Sequence, residues 1–160
     1  MNVRLFPITF LAALTGCLDA DYAQLYESQT LAPSLTWEGL QTLDYMGAYT
    51  VDQGIQFTIY SENAERIELL LFDDPDAPLQ TKTYLLERDG NLWTVYIEAV
   101  GVGQHYGFRA WGPNWTYDTD WFPGSPLGFV ADVDMDGNRF NPNKVLTDPY
   151  TLAVHRPHDW

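Results

Sequence analysis

Residues 55–72 read IQFTIYSENAERIELLLF and contain two predicted strands separated by a polar turn. In residues 55–60, Ile and Phe alternate with Gln, Thr and Tyr, which is the two-residue period of a half-buried strand. Glu62 and Asn63 interrupt this run. In residues 66–72, apolar side chains occupy adjacent positions as well as alternate ones. That pattern predicts a central strand that is covered on both faces.

Similar short runs occur on both sides of this stretch, and no helical period separates them. Further strands are predicted at residues 47–49, 81–86, 92–97 and 106–110. Trp93 shares one face of its strand with Val95 and Ile97, so it is assigned to the core. Arg88 to Asn91 has the composition of a hairpin turn. Short strands joined by short turns predict an all-β fold, an antiparallel immunoglobulin-like β-sandwich.

The region from Trp111 to Tyr150 has a different composition, with many Gly, Pro, Asn and Asp residues and few alternating runs. It is predicted to form a long C-terminal loop excursion from the sandwich. A loop of this length without regular structure is uncommon unless it packs against something or binds something. Two interpretations follow, a docking surface and a ligand-binding loop.

Length and charge narrow the possible functions. A chain of 160 residues accommodates one domain. It carries 22 acidic and 8 basic residues, a formal net charge of −14. This charge repels a polyphosphate backbone, so nucleic acid is excluded as an expected partner. A neutral polymer would not be repelled, and the acidity also serves solubility.

The first residues resemble a bacterial lipoprotein signal. Arg4 precedes the apolar run Leu5 to Leu14, which is too short for a membrane-spanning helix of about 20 residues. Leu14-Thr15-Gly16-Cys17 is similar to a lipobox, in which the cysteine is acylated and becomes the mature N-terminus. The alternative is an ordinary signal peptide with an incidental cysteine. Leu18 follows, and an Asp there would indicate retention at the inner membrane.

We therefore expect a signal peptide at residues 1–17, a tether at 18–43 and a folded domain at 44–160. The protein is expected to be exported and anchored by lipid to the outer membrane, on its periplasmic or its surface side. Acylation holds a protein on a membrane without a spanning segment. Because Cys17 is the only cysteine, the chain can form no internal disulfide.

Two blocks of sequence in the last third of the chain are highly specific. Residues 106–115 read YGFRAWGPNW, and residues 139–150 read RFNPNKVLTDPY. They resemble the N-terminal domain of secreted bacterial isoamylases and glycogen debranching enzymes of glycoside hydrolase family 13. This domain belongs to carbohydrate-binding module family 48. The resemblance extends from about Leu43 to Trp160.

The resemblance implies a non-catalytic module of a debranching hydrolase that acts on α-1,6 branches of glycogen or starch. A (β/α)8 barrel needs about 250 residues, so the catalytic barrel is not expected within this chain. One hypothesis is an enzyme truncated before its barrel, which would be the missing docking partner of the excursion. The alternative is a standalone surface lipoprotein that binds glucan or docks on a partner.

An α-glucan is the ligand that the resemblance implies. Sugars stack on exposed aromatic rings, and four aromatic residues of the excursion are candidates: Trp111, Trp115, Tyr117 and Trp121. In glucan-binding members of the family, one Trp follows the third strand and a second follows the last strand. Trp115 fits the second position, whereas the turn at residues 73–78 has no Trp. No alternation demands that the loop aromatics be buried.

No catalytic residue and no cofactor are predicted. The family's paired carboxylates lie on barrel strands, and His105, His155 and His158 accompany no recognisable nucleophile motif. The one weak metal candidate has the pattern of the first half of an EF-hand calcium loop, formed by Asp132, Asp134 and Asp136. The twelfth position is Asn143 instead of the bidentate Glu. The alternative is a solvated acidic turn.

Overall fold

The structure is a computed structural model that describes residues 46–51 and 53–155. These residues form seven β-strands: β1 (Gly47–Val51), β2 (Gly54–Tyr60), β3 (Arg66–Phe72), β4 (Lys82–Leu85), β5 (Glu87–Asp89), β6 (Leu92–Glu98) and β7 (His105–Trp111). They contain no helix long and apolar enough to cross a membrane. The signal segment, the tether, Cys17 and His158 lie outside the described residues.

The strands form two antiparallel sheets. One has the order β1-β2-β6-β5 and the other the order β4-β3-β7. The first order is that of the four-stranded sheet of immunoglobulin domains. The prediction of an immunoglobulin-like β-sandwich is therefore confirmed, and so is the central position of β3, which pairs with β4 on one side and β7 on the other.

One strand was not predicted. The sequence pattern placed a strand at residues 81–86 followed by a turn, but the chain leaves β4 at Leu85 and forms β5 in the opposite sheet. The three residues of β5 are all exposed. The strand therefore lacks the buried alternation by which short strands are recognised. Its hairpin with β6 turns at Gly90, whose φ is +60°.

The core lies between the two sheets, and each sheet contributes one face of its strands. The four-stranded sheet supplies Ile55, Phe57, Trp93, Val95 and Ile97, and the three-stranded sheet supplies Ile67, Leu69, Leu71, Phe108 and Ala110. Trp93 is 3% exposed, and its indole Nε1 donates to the Ser61 carbonyl at 3.1 Å. The assignment of Trp93 to the core is confirmed.

The excursion after β7 returns to the three-stranded sheet. The amide of Phe108 donates to the Leu146 carbonyl at 2.9 Å, and the amide of Leu146 donates to the Phe108 carbonyl at 2.7 Å. This isolated antiparallel bridge lies on the edge of β7 that is not paired with β3. An immunoglobulin sandwich has a further strand at this edge. Here a single bridge from the excursion takes its place.

Candidate functional site

The outward face of the three-stranded sheet carries a buried charged group. Glu68 is fully buried and Arg109 is 4% exposed, and the two residues lie opposite each other on β3 and β7. Glu68 Oε1 accepts a hydrogen bond from Arg66 Nε at 2.8 Å, and Oε2 lies 3.7 Å from an Arg109 guanidinium nitrogen. Arg109 Nε donates to the Pro142 carbonyl at 2.9 Å. Arg109, in the first sequence block, therefore links Pro142, in the second block, to the three-stranded sheet.

Asn114 joins the same two blocks in the loop and is fully buried. Its Nδ2 donates to the carbonyls of Ala131 at 3.1 Å and Phe140 at 2.9 Å, and its Oδ1 accepts from the Phe140 amide at 2.7 Å. Gly112 faces the Phe140 ring so closely that a Cβ atom would lie 2.3 Å from it. The two blocks are therefore two halves of one packed structure.

A third connection fixes the end of the second block. The Tyr106 hydroxyl donates to Asp148 Oδ2 at 2.7 Å, while Asp148 Oδ1 accepts from the Tyr150 amide at 2.8 Å. Burial raises the pKa of the Tyr106 phenol well above its usual range, and the hydrogen bond and negative charge of Asp148 raise it further. The phenol therefore stays protonated and acts as a donor in the folded protein.

The four aromatic candidates do not form an open platform. Trp111 is fully buried, Trp121 is 4% exposed and Trp115 is 8% exposed, whereas Tyr117 is 36% exposed. Trp111 and Trp121 meet edge to face with their ring centroids 5.1 Å apart. Stacking on a sugar needs a solvent-accessible ring face. The expectation that nothing buries these rings is wrong for the three tryptophans.

The tryptophans are buried because the excursion covers the face of β3 that points away from the core. Its sequence predicted burial on both faces, and one face packs in the core while the other lies beneath the excursion. Trp115 shows how the loop closes on itself, because its Nε1 donates to the Leu127 carbonyl at 2.8 Å and its ring lies 4.9 Å from that of Phe129. The apolar side chains on both faces of β3 were the feature of the sequence that indicated a second covering layer, which the loop aromatics help to form.

Tyr117 is the most accessible of the four candidates. Arg66 Cζ lies 4.0 Å from the centroid of its ring, and Trp111 approaches the ring edge to face at 5.3 Å. These contacts hold the ring in one orientation while more than a third of the side chain stays exposed. A glucan contact at Tyr117 or at the tryptophans remains a prediction.

Other apolar side chains of the excursion are exposed instead of the tryptophans. Six of them lie between residues 122 and 135, where Met135 is fully exposed and Val130 is 65% exposed. We call this set the apolar tip, and it consists of Phe122, Leu127, Phe129, Val130, Val133 and Met135. Sequence reasoning did not separate these residues from the buried aromatic ones, because no periodicity distinguishes them.

A cleft of about 360 Å³ lies at the other end of the excursion. One wall is the turn between β3 and β4, the floor is the start of β7 at residues 104–106, and the opposite wall is residues 145–155. The lining residue His155 has its Nε2 atom 2.9 Å from Oδ1 of Asp76, which belongs to the turn between β3 and β4. The rings of His105 and His155 meet edge to face with their centroids 5.9 Å apart. This proximity depends on the fold, and no sequence motif indicates it.

The acidic loop has the geometry of a turn. Asp134 Oδ1 accepts from the amides of Asp136 and Asn138 at 3.0 and 2.9 Å, and Oδ2 accepts from the Asn138 side chain at 2.8 Å. The Asn138 side-chain hydrogen bond lowers the pKa of Asp134. Within residues 46–51 and 53–155, no three His, Cys, Asp or Glu side chains are grouped so that they could hold a metal ion. Asp132 therefore belongs to no such group either.

Comparisons with known proteins agree with this architecture. Residues 45–151 match carbohydrate-binding module 48, the isoamylase N-terminal domain. The chain is 41% identical over 124 residues to an isoamylase from Pseudomonas amyloderamosa, covering 72% of this chain and 16% of that protein. It is 38% identical over 111 residues to a glycogen debranching enzyme from Yersinia enterocolitica, covering 69% of this chain and 14% of that protein.

A solved structure is also similar, that of a pullulanase from Paenibacillus barengoltzii in complex with maltohexaose and alpha-cyclodextrin. Its TM-score is 0.41 at 20% identity, and the match covers 59% of this chain and 12% of that chain.

The fold and the family match together define a non-catalytic carbohydrate-binding module. More narrowly, the chain belongs to the carbohydrate-binding module 48 family, the isoamylase N-terminal domain. It spans about a sixth of the length of the isoamylase that it matches, 16%.

Proposed function

We propose that the chain is the N-terminal module of an isoamylase-type hydrolase that debranches glycogen or starch, and that it contacts α-glucan in the cleft. The observation that carries this proposal is the family match over residues 45–151, which include most of both cleft walls. The relatives that support it are named isoamylase and glycogen debranching enzyme. Catalysis is assigned to another domain of such an enzyme.

The chemistry of the cleft suits a neutral sugar. Apolar side chains such as Phe72 and Val154 line it together with polar ones such as Thr151. The carboxylate of Asp148, which lines the cleft, already has a partner within the protein, because it accepts a hydrogen bond from the Tyr106 hydroxyl. A ligand that combines apolar faces with hydroxyl groups matches such a lining, as small-molecule sites combine apolar surface with a few polar groups.

The proposal is tested by calorimetric titration of the purified 160-residue chain with maltoheptaose. Ala77 lines the cleft, so Ala77→Leu narrows it and is expected to weaken binding about fivefold or more, a change of about 1 kcal/mol. Ala48→Leu, the same substitution at an exposed position of β1, is the matched control and should leave binding unchanged. Tyr117→Ala tests the aromatic loop in the same assay.

Each outcome separates the alternatives. Loss of binding in Tyr117→Ala with full binding in Ala77→Leu would move the glucan contact to the aromatic loop. No heat from a folded wild-type chain would contradict glucan binding altogether and would leave the docking role.

A docking role is supported by a separate observation, the exposed side chains of the apolar tip. All six of its side chains are exposed and belong to one segment, residues 122–135, and exposed apolar surface is a feature of interaction sites. We infer that the tip contacts a glycoside hydrolase family 13 barrel, the partner that the family membership indicates. Its side chains are carried by a loop that is fixed to the residues just after β7, because Phe129 pairs with Trp115 through an isolated bridge and a ring contact.

The docking role is tested by co-expression of the chain with a tagged catalytic domain of the Pseudomonas amyloderamosa isoamylase. We expect the wild-type chain to co-purify, and Met135→Asp to reduce the recovered amount severalfold because it places a charge in an apolar contact. Val102→Asp is the control, since Val102 is 95% exposed but lies in the turn between β6 and β7. Equal recovery of both variants would contradict the assignment of the tip.

A further inference from the structure

The apolar tip ends in a segment in which apolar and acidic residues alternate. Residues 132–136 read DVDMD, so Val133 and Met135 each lie between two aspartates. Both apolar side chains are exposed, and so are the first and the last aspartate of the segment. The middle one, Asp134, accepts hydrogen bonds within its own turn. This part of the tip therefore presents carboxylates and apolar side chains next to each other.

The longer stretch of chain that carries the tip has charges of one sign. Residues 110–138 contain five aspartates and no Lys, Arg or His. The basic residues that flank this stretch are Arg109 and Arg139. Arg109 is only 4% exposed and donates to the Pro142 carbonyl, whereas Arg139 is exposed. One exposed basic side chain beside five carboxylates leaves this part of the excursion acidic.

This charge narrows the kind of partner that the tip can contact. Two copies of the chain that met through their tips would bring aspartates against aspartates, and like charges in an interface are costly. Nucleic acid and an anionic membrane surface would be repelled for the same reason. A protein surface with an apolar centre and a border of Lys or Arg matches both features, because it covers the apolar side chains and pairs with the carboxylates.

We propose that the apolar tip docks on a protein surface of this kind, with an apolar centre and a basic border, and that Asp132 and Asp136 steer the encounter. The inference rests on the docking role proposed above and adds the chemistry of the partner surface. Both aspartates are exposed. Charges at the rim of an interface act mainly on the rate of association and on its dependence on salt, whereas buried apolar contacts hold the complex together.

The test measures association of the purified 160-residue chain with the tagged catalytic domain used above, immobilised through its tag, at several NaCl concentrations. We expect the association rate constant to fall about tenfold between about 0.05 and 0.5 M NaCl. The double variant Asp132→Asn/Asp136→Asn should associate severalfold more slowly and depend less on salt, and Asp132→Lys/Asp136→Lys should associate more slowly still.

A matched control removes the same number of charges elsewhere. Asp73→Asn/Asp74→Asn changes two exposed aspartates in the turn between β3 and β4, beside the cleft. We expect this variant to keep the wild-type association rate and salt dependence, because its charges lie outside the tip. Equal slowing in the control and in Asp132→Asn/Asp136→Asn would overturn the inference, since net charge would then act instead of the tip.

The remaining outcomes separate this inference from the docking role on which it rests. If the chain binds the catalytic domain but neither salt nor the substitutions at Asp132 and Asp136 change the association rate, the basic border is overturned while docking stands. The aspartates would then serve solubility alone. If the folded wild-type chain does not bind, or if Met135→Asp binds as well as the wild type, the docking role of the tip is itself wrong.

Discussion

At the residue scale, Asn114 connects more of the excursion than any apolar side chain described above. A single amide satisfies the carbonyls of Ala131 and Phe140 and the amide of Phe140, at a position that is fully buried. Buried backbone groups must be paired, and a loop has no neighbouring strand to pair them. The Asn114 side chain supplies the hydrogen bonds that a sheet would otherwise provide.

We expect Asn114→Ala to lower the free energy of unfolding by about 2–4 kcal/mol, because it leaves buried polar groups without partners at about 1–3 kcal/mol each. Urea unfolding followed by tryptophan fluorescence measures this loss. Asn91→Ala is the control, since Asn91 is exposed and its side chain makes a 3.4 Å contact with the Tyr60 hydroxyl. A similar loss in both variants would argue against a special role for Asn114.

A second residue-scale prediction concerns alkaline pH. The pKa of Tyr106 is raised in the folded protein, mainly by burial and then by Asp148, whereas an unfolded tyrosine ionises near pH 10. Above that pH the unfolded chain has lost the proton that the folded chain retains. Stability therefore falls as pH rises, and the contribution of Tyr106 is fully present below about pH 10.

Tyr106→Phe removes this titrating group. Although the variant should be less stable than the wild-type chain at pH 8, we expect it to lose stability less steeply between about pH 9 and 11. Urea unfolding at several pH values gives the two slopes. Tyr60→Phe, at a tyrosine that is 53% exposed, should keep the wild-type slope. Parallel curves for wild type and Tyr106→Phe would contradict the assignment.

At the scale of the element, the excursion is held by close backbone approaches. Gly128 has a φ of +76°, and a Cβ atom there would lie 1.9 Å from the Thr116 carbonyl oxygen. The amide of Thr116 donates to the Gly128 carbonyl at 2.9 Å, so the two backbones are in direct contact. Gly124, four residues earlier, has a φ of +89° but open space around it.

These two glycines form a matched pair. Gly124→Ala should cost about 1–2 kcal/mol, the cost of a left-handed conformation for an L-residue. Gly128→Ala adds a clash with backbone, and we expect it to cost at least twice as much and to loosen the Trp115–Phe129 contact. Thermal unfolding of the two variants measures the difference. Equal costs would mean that the close approach of the backbones contributes nothing beyond conformation.

At the scale of the whole molecule, the cleft and the apolar tip belong to different parts of one excursion. The tip comprises residues between 122 and 135, whereas the later cleft wall comprises residues 145–155. The buried Glu68 and Arg109 fix the segment between the tip and this wall to the sheet, because Arg109 donates a hydrogen bond to the Pro142 carbonyl. The proposed glucan contact lies in one of these regions, and the proposed contact with a catalytic domain lies in the other. The net charge of −14 interferes with neither contact, since the proposed glucan is neutral and the tip is apolar.

Membrane anchoring concerns the whole molecule and depends on Cys17, which lies outside the described residues. If Cys17 is acylated, as the lipobox-like sequence predicts, Cys17→Ala should move the protein from the membrane fraction to the soluble fraction of cells. The reason is that an apolar run of ten residues is too short to span a bilayer. Fractionation followed by immunoblotting measures this shift. Unchanged membrane recovery would place the anchor elsewhere.

Most of the sandwich could be predicted from the amino-acid sequence. The alternation in residues 55–60 and the continuous apolar run in residues 66–72 correspond to a half-buried strand and a central one, because side-chain direction has a period of two in any strand. Trp93 could be assigned to the core for the same reason. The two specific blocks identified the family. β5 was not predicted, because its three residues are all exposed and show no alternation of buried and exposed positions.

Tertiary structure alone decided which side chains of the excursion are accessible. Trp115 and Trp121 are buried while Met135 is exposed, and no local rule separates them, because irregular backbone has no period that links sequence position to direction. Their burial depends on contacts with residues far along the chain. The cleft arises in the same way, since His155 and Asp76 meet only after β3, β7 and the excursion have packed together.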